Sequence, residues 1–543
     1  MSTIFAEKRP RHLRLVNGAK DKGWTFWRCD RMLAPMKPQA QTRSAEEIEL
    51  KLALPASDPS ALVRQLARAP VLARRKATQL HLHNVYYDTP EQLLRQARVA
   101  LRLRRVGSEA QPQWLQTLKM GGRSDSALSQ RGEWESPVPD AALAWQALQA
   151  TPWSEFDPDG SVFRALAPCF VTCFERTSWT VRKRDGSVVE VSLDSGQIES
   201  GEQRAPICEL ELELHAGQPA ALFDVAQKIA RTIAVMPANI SKAQQGYALA
   251  QGTLALPLRA QPPPLTPGMA LPDAAQCVLR EMFCQFTTNL NMLRSSDDPE
   301  VVHQARVGWR RFRSAVRLFR PALAADAVPS WEALQPLMTF LGELRDIDVA
   351  RTETLPPLAD AYAAEDAKRT QNWQAMAESL AQAATLQRKA VRYALDAPAL
   401  GAALLATTQW LEALPVLSGP GAARLDKTMS LRRWARRRIV RLHGQLKLAL
   451  KDAANPESQH RARILSKRLR YGIEALRALL PKRQTQRWYQ QATTLQTRIG
   501  AARDVMQAGV LAARLDADRG LVDFLRGVAV GQEKAAEYQE VIT

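Results

Sequence analysis

Acidic and basic side chains alternate with apolar ones in two short stretches of the 543-residue sequence. The first stretch holds Glu47, Glu49 and Lys51, and the second holds Glu209 and Glu211. Because side chains at i and i+2 lie on the same face of a β-strand, each stretch presents one charged face. Carboxylates bind hard divalent cations, and ammonium or guanidinium groups bind phosphate oxygens. Together these residue types suit the metal-assisted attack of water on a phosphoanhydride.

The same alternation returns between residues 99 and 214. A single strand of this kind is usually an edge strand with a solvated charged face. Several of them favour a closed antiparallel barrel, with apolar side chains outward under helices and charged side chains lining a lumen. The basic residues predicted to bind phosphate in this lumen are Lys51, Arg102, Arg104, Lys119, Arg131, Arg176 and Arg182. The carboxylates predicted to hold a cation are Glu47, Glu49, Glu133, Glu135, Glu190, Glu209 and Glu211.

Helices and turns between the predicted strands are marked by their apolar spacing and by capping residues. The spacing predicts a helix over residues 58–69, capped by Ser57 or Asp58, and a covering helix over residues 223–233. Tyr87-Asp88-Thr89-Pro90 ends a strand in a capped turn. These elements would enclose the barrel from outside.

The basic excess is concentrated in the C-terminal half. The chain carries 74 lysines and arginines against 55 acidic residues, a formal net charge of +19. Residues 44–269 hold 24 of each sign, whereas residues 270–543 hold 40 basic and 28 acidic side chains. A basic surface of that size indicates a polyanionic partner, either nucleic acid, an anionic membrane or polyphosphate.

The six cysteines form no CxxC pair and no Cys/His cluster with zinc spacing, which favours a reduced, cytoplasmic protein. No apolar run reaches the roughly 18 residues of a transmembrane helix, and the N-terminus lacks the apolar segment of a signal peptide. Residues 1–43 are predicted to be a disordered basic lead or a mis-assigned start, with Met36 as the true first residue.

A proline-rich stretch, residues 256–271, is predicted to be a linker between two domains. Residues 44–255 would form the tunnel domain and residues 272–540 a helical domain with halves at about 272–420 and 421–540. The predicted fold class is therefore multidomain, an α+β barrel tunnel with covering helices followed by a duplicated all-α bundle.

The helical domain contains a repeat. His303–Arg313 is matched by His460–Arg470 at an offset of 157 residues, and Arg345-Asp346 is matched by Arg503-Asp504 at an offset of 158. The spacing i, i+3, i+7, i+10 places one histidine and three cations on each helix face, either a solvated basic face or an anion site. Few aromatic residues are interleaved, which favours a phosphate chain over sequence-specific nucleic acid. The predicted polyphosphate-binding residues are His303, Arg306, Arg310, Arg313, His460, Arg463, Lys467 and Arg470.

Two known families share these motifs. Residues 45–250 resemble the CYTH domain, the triphosphate tunnel metalloenzyme fold, in the Glu-x-Glu-x-Lys of residues 47–51, the Arg-x-Glu-x-Glu of residues 131–135 and Ser241-Lys242. Residues 272–540 resemble the CHAD domain, a histidine-bearing helical repeat associated with inorganic polyphosphate. The combination resembles a bacterial CYTH–CHAD inorganic triphosphatase.

The resemblance implies roles for the lumen residues. The basic residues, now including Lys242, would grip triphosphate, and the acidic ones would hold Mg²⁺ or Mn²⁺, with Glu47 and Glu49 as ligands. Either Glu209 or Glu211 would activate water, and Lys51 is assigned to the same catalytic group. A polyphosphate-binding protein without turnover and an adenylate cyclase of the same fold are the alternatives. The resemblance implies a cytoplasmic protein associated with polyphosphate granules and not with a membrane. The oligomeric state is left open.

Overall fold

The computed structural model describes residues 43–542, apart from residues 56–57, 108–111, 124–125, 324–327, 416–428 and 452–455. The predicted basic lead lies outside the described residues except for Arg43, where the first strand begins. The predicted boundary at residues 420 and 421 also lies outside them.

Eight antiparallel strands close into a barrel in the order β5-β4-β3-β2-β6-β7-β8-β1, and β1 pairs back onto β5. A short ninth strand, β9, pairs with the end of β1. The closure confirms the predicted tunnel architecture. The strands are β1 (Arg43–Ala53), β2 (Ala77–Asp88), β3 (Ala100–Val106), β4 (Gln113–Arg123), β5 (Leu128–Val138), β6 (Ala167–Arg182), β7 (Val188–Ser200), β8 (Gln203–Ala216) and β9 (Met236–Pro237).

The strand register sets acids beside bases on the inner face. Lys51 of β1 lies opposite Glu211 of β8, and Lys119 of β4 lies opposite Glu133 of β5. Directly opposed residues have Cβ atoms about 5 Å apart, so opposite charges there attract. The alternation seen in the sequence thus becomes a lumen in which each strand supplies partners to its neighbours.

The outer face of the barrel is apolar and covered by helices. Leu50 and Leu52 of β1 are fully buried against Leu222 of α6 (Ala220–Ala230) and Leu66 of α1 (Pro59–Arg68). The helix predicted over residues 58–69 is confirmed, with Asp58 as its cap. The covering helix predicted over residues 223–233 is observed three residues earlier, at Ala220–Ala230, with Pro219 at its N-cap. Four short helices lie between strands: α2 (Leu93–Gln96), α3 (Trp145–Gln149), α4 (Trp153–Phe156) and α5 (Ser161–Arg164).

The turn after β2 is built around the carboxylate of Asp88, which is buried. It accepts hydrogen bonds from the backbone amides of Thr89, Leu94 and Arg95. The hydroxyl of Tyr247, on α7 (Lys242–Ala250), donates to the same carboxylate at 2.8 Å. The predicted capped turn is therefore confirmed, and it also fastens α7 to the barrel.

The proline-rich stretch contains neither helix nor strand, and α8 begins at Leu271. It lies along α8, since the amide of Leu258 donates to Asn289 and the amide of Gln261 donates to Glu281. These two hydrogen bonds fix the backbone of the linker along the surface of α8.

The C-terminal region is helical within the described residues, as expected for the predicted bundle. After α8 (Leu271–Met292), its α-helices are α9 (Pro299–Phe319), α10 (Gln335–Val349), α11 (Ala359–Ala363), α12 (Ala367–Leu395), α13 (Pro398–Ala413), α14 (Leu431–Lys451), α15 (Pro456–Leu476), α16 (Lys482–Arg514) and α17 (Arg519–Ile542). The repeated motifs lie on α9 with α10 and on α15 with α16. Phe312 of α9 and Leu469 of α15 belong to one buried core, so the two halves pack together.

Candidate active site and basic cleft

The barrel encloses a cavity of about 790 Å³ lined mainly by charged side chains. Its lining includes Lys51, Arg102, Arg104, Lys119, Arg131, Arg176, Arg182 and Lys242 together with Glu47, Glu133, Glu135 and Glu211. All eight basic residues predicted for triphosphate binding therefore reach one space. Glu49 and Glu209 are buried beside it, at 3% and 5% exposure.

The most buried part of the lumen joins two lysines through Glu211. The ammonium of Lys51 lies 2.6 Å from one oxygen of Glu211, and that of Lys242 lies 3.0 Å from the same oxygen. Lys242 also contacts Asp194 at 2.6 Å and bonds Glu209. Strands β1, β7 and β8 and helix α7 thus converge on one charged cluster.

Arg176 on β6 completes this cluster. Its guanidinium binds Asp194 with two nitrogens, at 2.7 and 2.6 Å, and donates to Glu211 as well. The planar fork of arginine matches two carboxylate oxygens at once, which fixes the orientation of Asp194.

The middle of the lumen is a second network of paired charges. Lys119 lies 2.7 Å from Glu47 and 3.2 Å from Glu133. Arg131 donates to Glu49 at 2.9 Å, and Arg102 reaches Glu133 at 3.5 Å. Each of these predicted metal ligands is therefore held by a cation in the structure.

The remaining predicted lumen residues make fewer ionic contacts. Arg104 donates to Asn84 at 2.8 Å and lies 3.8 Å from Glu135. Glu190 lies 3.5 Å from His215. Arg182 is exposed at the edge of the cavity.

The two glutamates predicted to activate water have opposite pKa shifts. Burial raises the pKa of Glu209 above its ordinary value, and the nearby Lys242 only partly offsets this. Burial also acts on Glu211, but Lys242, Lys51 and Arg176 outweigh it and hold the pKa well below the ordinary value. Glu211 is consequently ionised at neutral pH and is the one of the two that lines the cavity.

Three carboxylates form a group suited to a divalent cation. One oxygen from each of Asp194, Glu209 and Glu211 lies within 4.8 Å of the others. An all-oxygen, anionic donor set matches the preference of Mg²⁺ and Mn²⁺. In the structure the ammonium of Lys242 contacts all three carboxylates, and Arg176 and Lys51 add further positive charge.

Tyr86, Glu213 and His215 of the cavity lining, and Asp194 of the acidic group, were not among the predicted site residues. Asp194 lies on the same face of β7 as Glu190, and this could be predicted from their spacing. Its partners on β8 could not, because they depend on the register between the two strands. Glu213 continues the alternation of Glu209 and Glu211 and could have been included. Burial together with the nearby Glu47 raises the pKa of Glu213 to about 7.

The helical region holds a second group of neighbouring cations, contributed by both of its halves, which we call the basic cleft. It comprises Arg306 and Arg310 of α9, Arg345 of α10, Arg463 and Lys467 of α15, and Arg503 of α16. Burial, followed by the charges of Arg463 and Arg310, lowers the pKa of Lys467 to about 8. Burial and Arg503 likewise lower the pKa of Arg463. Such mutual repulsion across two repeats would be relieved by an anion.

Both repeated motifs contribute cations to the basic cleft. The sequence analysis predicted anion binding only for the His303–Arg313 motif and its repeat, and not for the Arg-Asp pairs. Arg345 and Arg503 come from the repeated Arg-Asp pairs, a signal that was available. Gly342, in the same motif, leaves room for Arg306, since an added Cβ would lie 3.1 Å from its guanidinium.

The remaining predicted polyphosphate-binding residues differ in their surroundings. Burial and Arg345 lower the pKa of His303 to about 4, so it is neutral at pH 7. His460 is exposed. Arg470 lies 3.6 Å from Glu474. Arg313 neighbours Arg317 further along α9, so its placement extends the basic surface beyond the cleft.

Both charged sites lie in regions of the chain that match known families. Residues 45–247 match the CYTH domain family, and residues 277–513 match the CHAD domain family. The chain contains a CYTH domain followed by a CHAD domain. The resemblance seen in the sequence is thereby confirmed, and the lumen belongs to the CYTH domain and the basic cleft to the CHAD domain.

Individual relatives cover parts of the chain. An inorganic triphosphatase of Haemophilus influenzae is 34% identical over 205 residues, which are 38% of this chain and 55% of that protein. The chain thus spans about half the length of this relative. A CHAD domain from the plant Ricinus communis is 30% identical over 51% of this chain and 92% of that chain, with a TM-score of 0.42. A Hippeastrum adenylyl cyclase candidate with dominant triphosphatase activity is 19% identical over 37% of this chain and 95% of that chain, with a TM-score of 0.26.

No helix in the described part of the chain is both long and apolar enough to cross a membrane.

Proposed function

We propose that the CYTH domain hydrolyses inorganic triphosphate to diphosphate and phosphate with the help of Mg²⁺ or Mn²⁺, and that the CHAD domain binds inorganic polyphosphate. The proposal of triphosphate hydrolysis is supported by the similarity to the inorganic triphosphatase of Haemophilus influenzae. The arrangement of charges in the lumen supports it independently.

The observation that carries the proposal is a group of arginines beside the acidic cluster. Burial, together with the charges of Arg102 and Arg176, lowers the pKa of Arg104 to about 10. Its carboxylate neighbour Glu135 is 3.8 Å away, too far to compensate fully. Arg176 belongs both to this positive group and to the cluster with Asp194 and Glu211. A polyphosphate bound by the arginines would therefore lie next to the acidic oxygens.

Substrate binding would exchange partners within the lumen. The guanidinium groups of Arg102, Arg104 and Arg131 can each bond two phosphate oxygens. Lys119 would add a point charge. These cations would turn from the carboxylates to the phosphates, and the released carboxylates would become available to a cation that arrives with the substrate.

The metal site proposed here consists of Asp194, Glu209 and Glu211, with Glu47, Glu49, Glu133, Glu135 and Glu190 as further predicted ligands. A bound Mg²⁺ would polarise a phosphoryl oxygen and neutralise charge on the chain. The residues of the protein would hold the phosphates in line for attack.

Glu211 is placed to orient the attacking water. It lines the cavity, is ionised, and is fixed by Lys51 at 2.6 Å. The water oxygen would bond to the terminal phosphorus as the bond from phosphorus to the bridging oxygen breaks, and diphosphate would leave. The water proton would pass through Glu211 to solvent. Phosphoryl transfer depends mainly on positioning and charge stabilisation, so a weakly basic carboxylate suffices.

The decisive assay measures products from triphosphate, ATP and long-chain polyphosphate with the full chain, in Mg²⁺, Mn²⁺ or chelator. Metal-dependent release of equal amounts of phosphate and diphosphate from triphosphate is expected. Cyclic AMP from ATP would instead support the cyclase alternative. Retention of polyphosphate without any turnover would support a binding protein, and the triphosphatase proposal would then be wrong.

For the CHAD domain, the supporting observation is that both repeats bring cations to one cleft. Arg310 of one half affects the pKa of both Arg463 and Lys467 of the other half. A flexible chain of phosphates can satisfy such a row of charges without base-specific contacts. A cytoplasmic location at polyphosphate granules would be consistent with this role.

The affinity for polyphosphate is expected to fall as pH rises above 8. Lys467 has a pKa lowered to about 8, so it carries its charge at pH 7 and loses it on going to pH 9. Loss of one charged hydrogen bond costs about 1.5 kcal/mol, or roughly tenfold in Kd. The Lys467→Arg variant keeps its charge and should show a flat profile in calorimetric titration over this range. An unchanged slope in that variant would exclude Lys467 as the titrating group.

A further inference from the structure

Residues 235–241, which we call the connecting segment, touch the tunnel and the CHAD domain at once. The segment follows the covering helix α6, forms strand β9, and ends at Ser241, the N-cap of α7. Lys242, the first residue of α7, reaches the acidic cluster. Seven residues therefore span the distance between the helical core and the most buried charges of the lumen.

On the tunnel side, the connecting segment holds the backbone of both lysines that bind Glu211. The amide of Ala238 donates to the carbonyl of Lys51 at 3.0 Å, and β9 pairs with the two residues that follow Lys51. At its other end, Ser241 caps the helix that carries Lys242. The ammonium groups of Lys51 and Lys242 lie 2.6 and 3.0 Å from the same oxygen of Glu211.

On the helical side, the segment is fastened to α8. The side-chain amide of Asn239 donates to the hydroxyl of Thr287 at 2.8 Å, and that of Asn291 donates to the carbonyl of Pro237 at 3.4 Å. Thr287 is fully buried. Asn239 itself is partly buried, so this hydrogen bond lies at the edge of the helical core.

Apolar packing fastens the segment further. Met236 is fully buried in the core of the CHAD domain, while Leu405 of α13 is fully buried in the core of the barrel. An added Cβ at Gly401 of α13 would lie 2.2 Å from the carbonyl oxygen of Val235. Each domain thus inserts a side chain into the hydrophobic core of the other near this segment, and α13 packs against the backbone of the segment.

We propose that Asn239 is a positioning residue for triphosphate hydrolysis. Through its hydrogen bond to Thr287, the CHAD domain fixes the backbone that presents Lys51 and Lys242 to Glu211. The proposal rests on the proposed function of the lumen. A two-residue strand such as β9 holds little by itself, so the contacts of the segment with α8 add to the barrel pairing of Lys51 and to the Tyr247–Asp88 anchor of α7. Small displacements at a reacting centre reduce turnover strongly.

The test compares full-chain Asn239→Ala and Thr287→Val with the wild type in steady-state triphosphate hydrolysis. We expect kcat to fall about tenfold in each variant. Loss of the hydrogen bond would let Lys51 and Lys242 shift relative to Glu211, and small displacements of reacting groups slow a reaction strongly. KM should change less than kcat, since Arg102, Arg104 and Lys119 lie on β3 and β4, away from the segment, and only part of the predicted triphosphate-binding set, Lys51 and Lys242, lies next to it. Polyphosphate binding should be unchanged.

Thr288→Val provides a matched control on the same helix. Thr288 is also buried, and its hydroxyl lies 3.8 Å from Cys284 Sγ. This variant should keep the wild-type kcat while losing a similar buried hydroxyl. A kcat as low as that of Thr287→Val would show a general effect on α8 and overturn the proposal.

The double variant Asn239→Ala/Thr287→Val separates a shared interaction from two independent ones. If the hydrogen bond transmits the effect, kcat in the double variant should equal that of the single variants. Additive losses would overturn the proposal, as would full activity in both single variants. A wild type that releases no phosphate from triphosphate would instead overturn the proposed function, and this inference with it.

Discussion

Replacing Glu211 with glutamine is expected to lower kcat for triphosphate hydrolysis about a thousandfold. A positioned acid or base typically contributes a factor of roughly 10² to 10⁴, and Glu211 also belongs to the group of metal-binding oxygens. Glutamine has nearly the same shape but carries no charge, so Lys51, Lys242 and Arg176 lose the anion between them. Initial-rate measurements over a range of Mg²⁺ concentrations would show whether added metal restores the rate.

The matched control for this variant is Glu175→Gln. Glu175 precedes Arg176 on β6 but is exposed on the outer face, so it tests the loss of one glutamate without touching the lumen. Its kcat should stay within about twofold of the wild type, as expected for a surface substitution. A kcat of Glu211→Gln that is also within a few fold of the wild type would exclude Glu211 from the reaction.

Removing four cations of the basic cleft is expected to abolish polyphosphate binding. The substitutions are Arg306→Ala, Arg310→Ala, Arg463→Ala and Lys467→Ala in one chain. Each charged hydrogen bond contributes about 1.5 kcal/mol or more, so Kd should rise at least a thousandfold. Triphosphate hydrolysis should continue at the wild-type rate, because none of the four lines the tunnel. Filter retention of labelled polyphosphate and phosphate release can be measured on the same preparation.

A chain with four alanines on α14 controls for the change in net charge. Arg432, Arg433, Arg436 and Arg437 are exposed there, so their removal subtracts the same charge from another surface. This chain should bind polyphosphate with a Kd within about tenfold of the wild type, since surface charges act through a screened field. If both chains lose polyphosphate binding equally, the net positive charge of the protein, and not the basic cleft, is responsible for binding.

The barrel could be predicted because alternation with a period of two is a local property of the chain. Glu47, Glu49 and Lys51 share a face whatever their neighbours are, and so do Glu209 and Glu211. Which acid meets which base could not be predicted, since that depends on the register between strands. Asp194 shows the limit. It joins Glu209 and Glu211 only because β7 pairs with β8 in one particular register.

The helical faces show a different limit. The spacing along α9 correctly groups His303, Arg306 and Arg310, but it carries no information about what packs against them. Burial next to Arg345 leaves His303 neutral, whereas its counterpart His460 is exposed. Equal positions in a sequence repeat therefore differ in burial because the two halves have different neighbours.

The paired charges of the tunnel also restrict how this protein can diverge. Replacing Lys119 alone would leave Glu47 with Arg131 and Glu133 with Arg102 as remaining cations, and weakening the compensation of a buried charge lowers stability. Most single changes in the lumen would therefore threaten folding before catalysis could be selected. New substrate specificities should arise through paired substitutions that remove an acid and its base together. Because two changes are needed at once, the lumen residues should be substituted slowly in evolution.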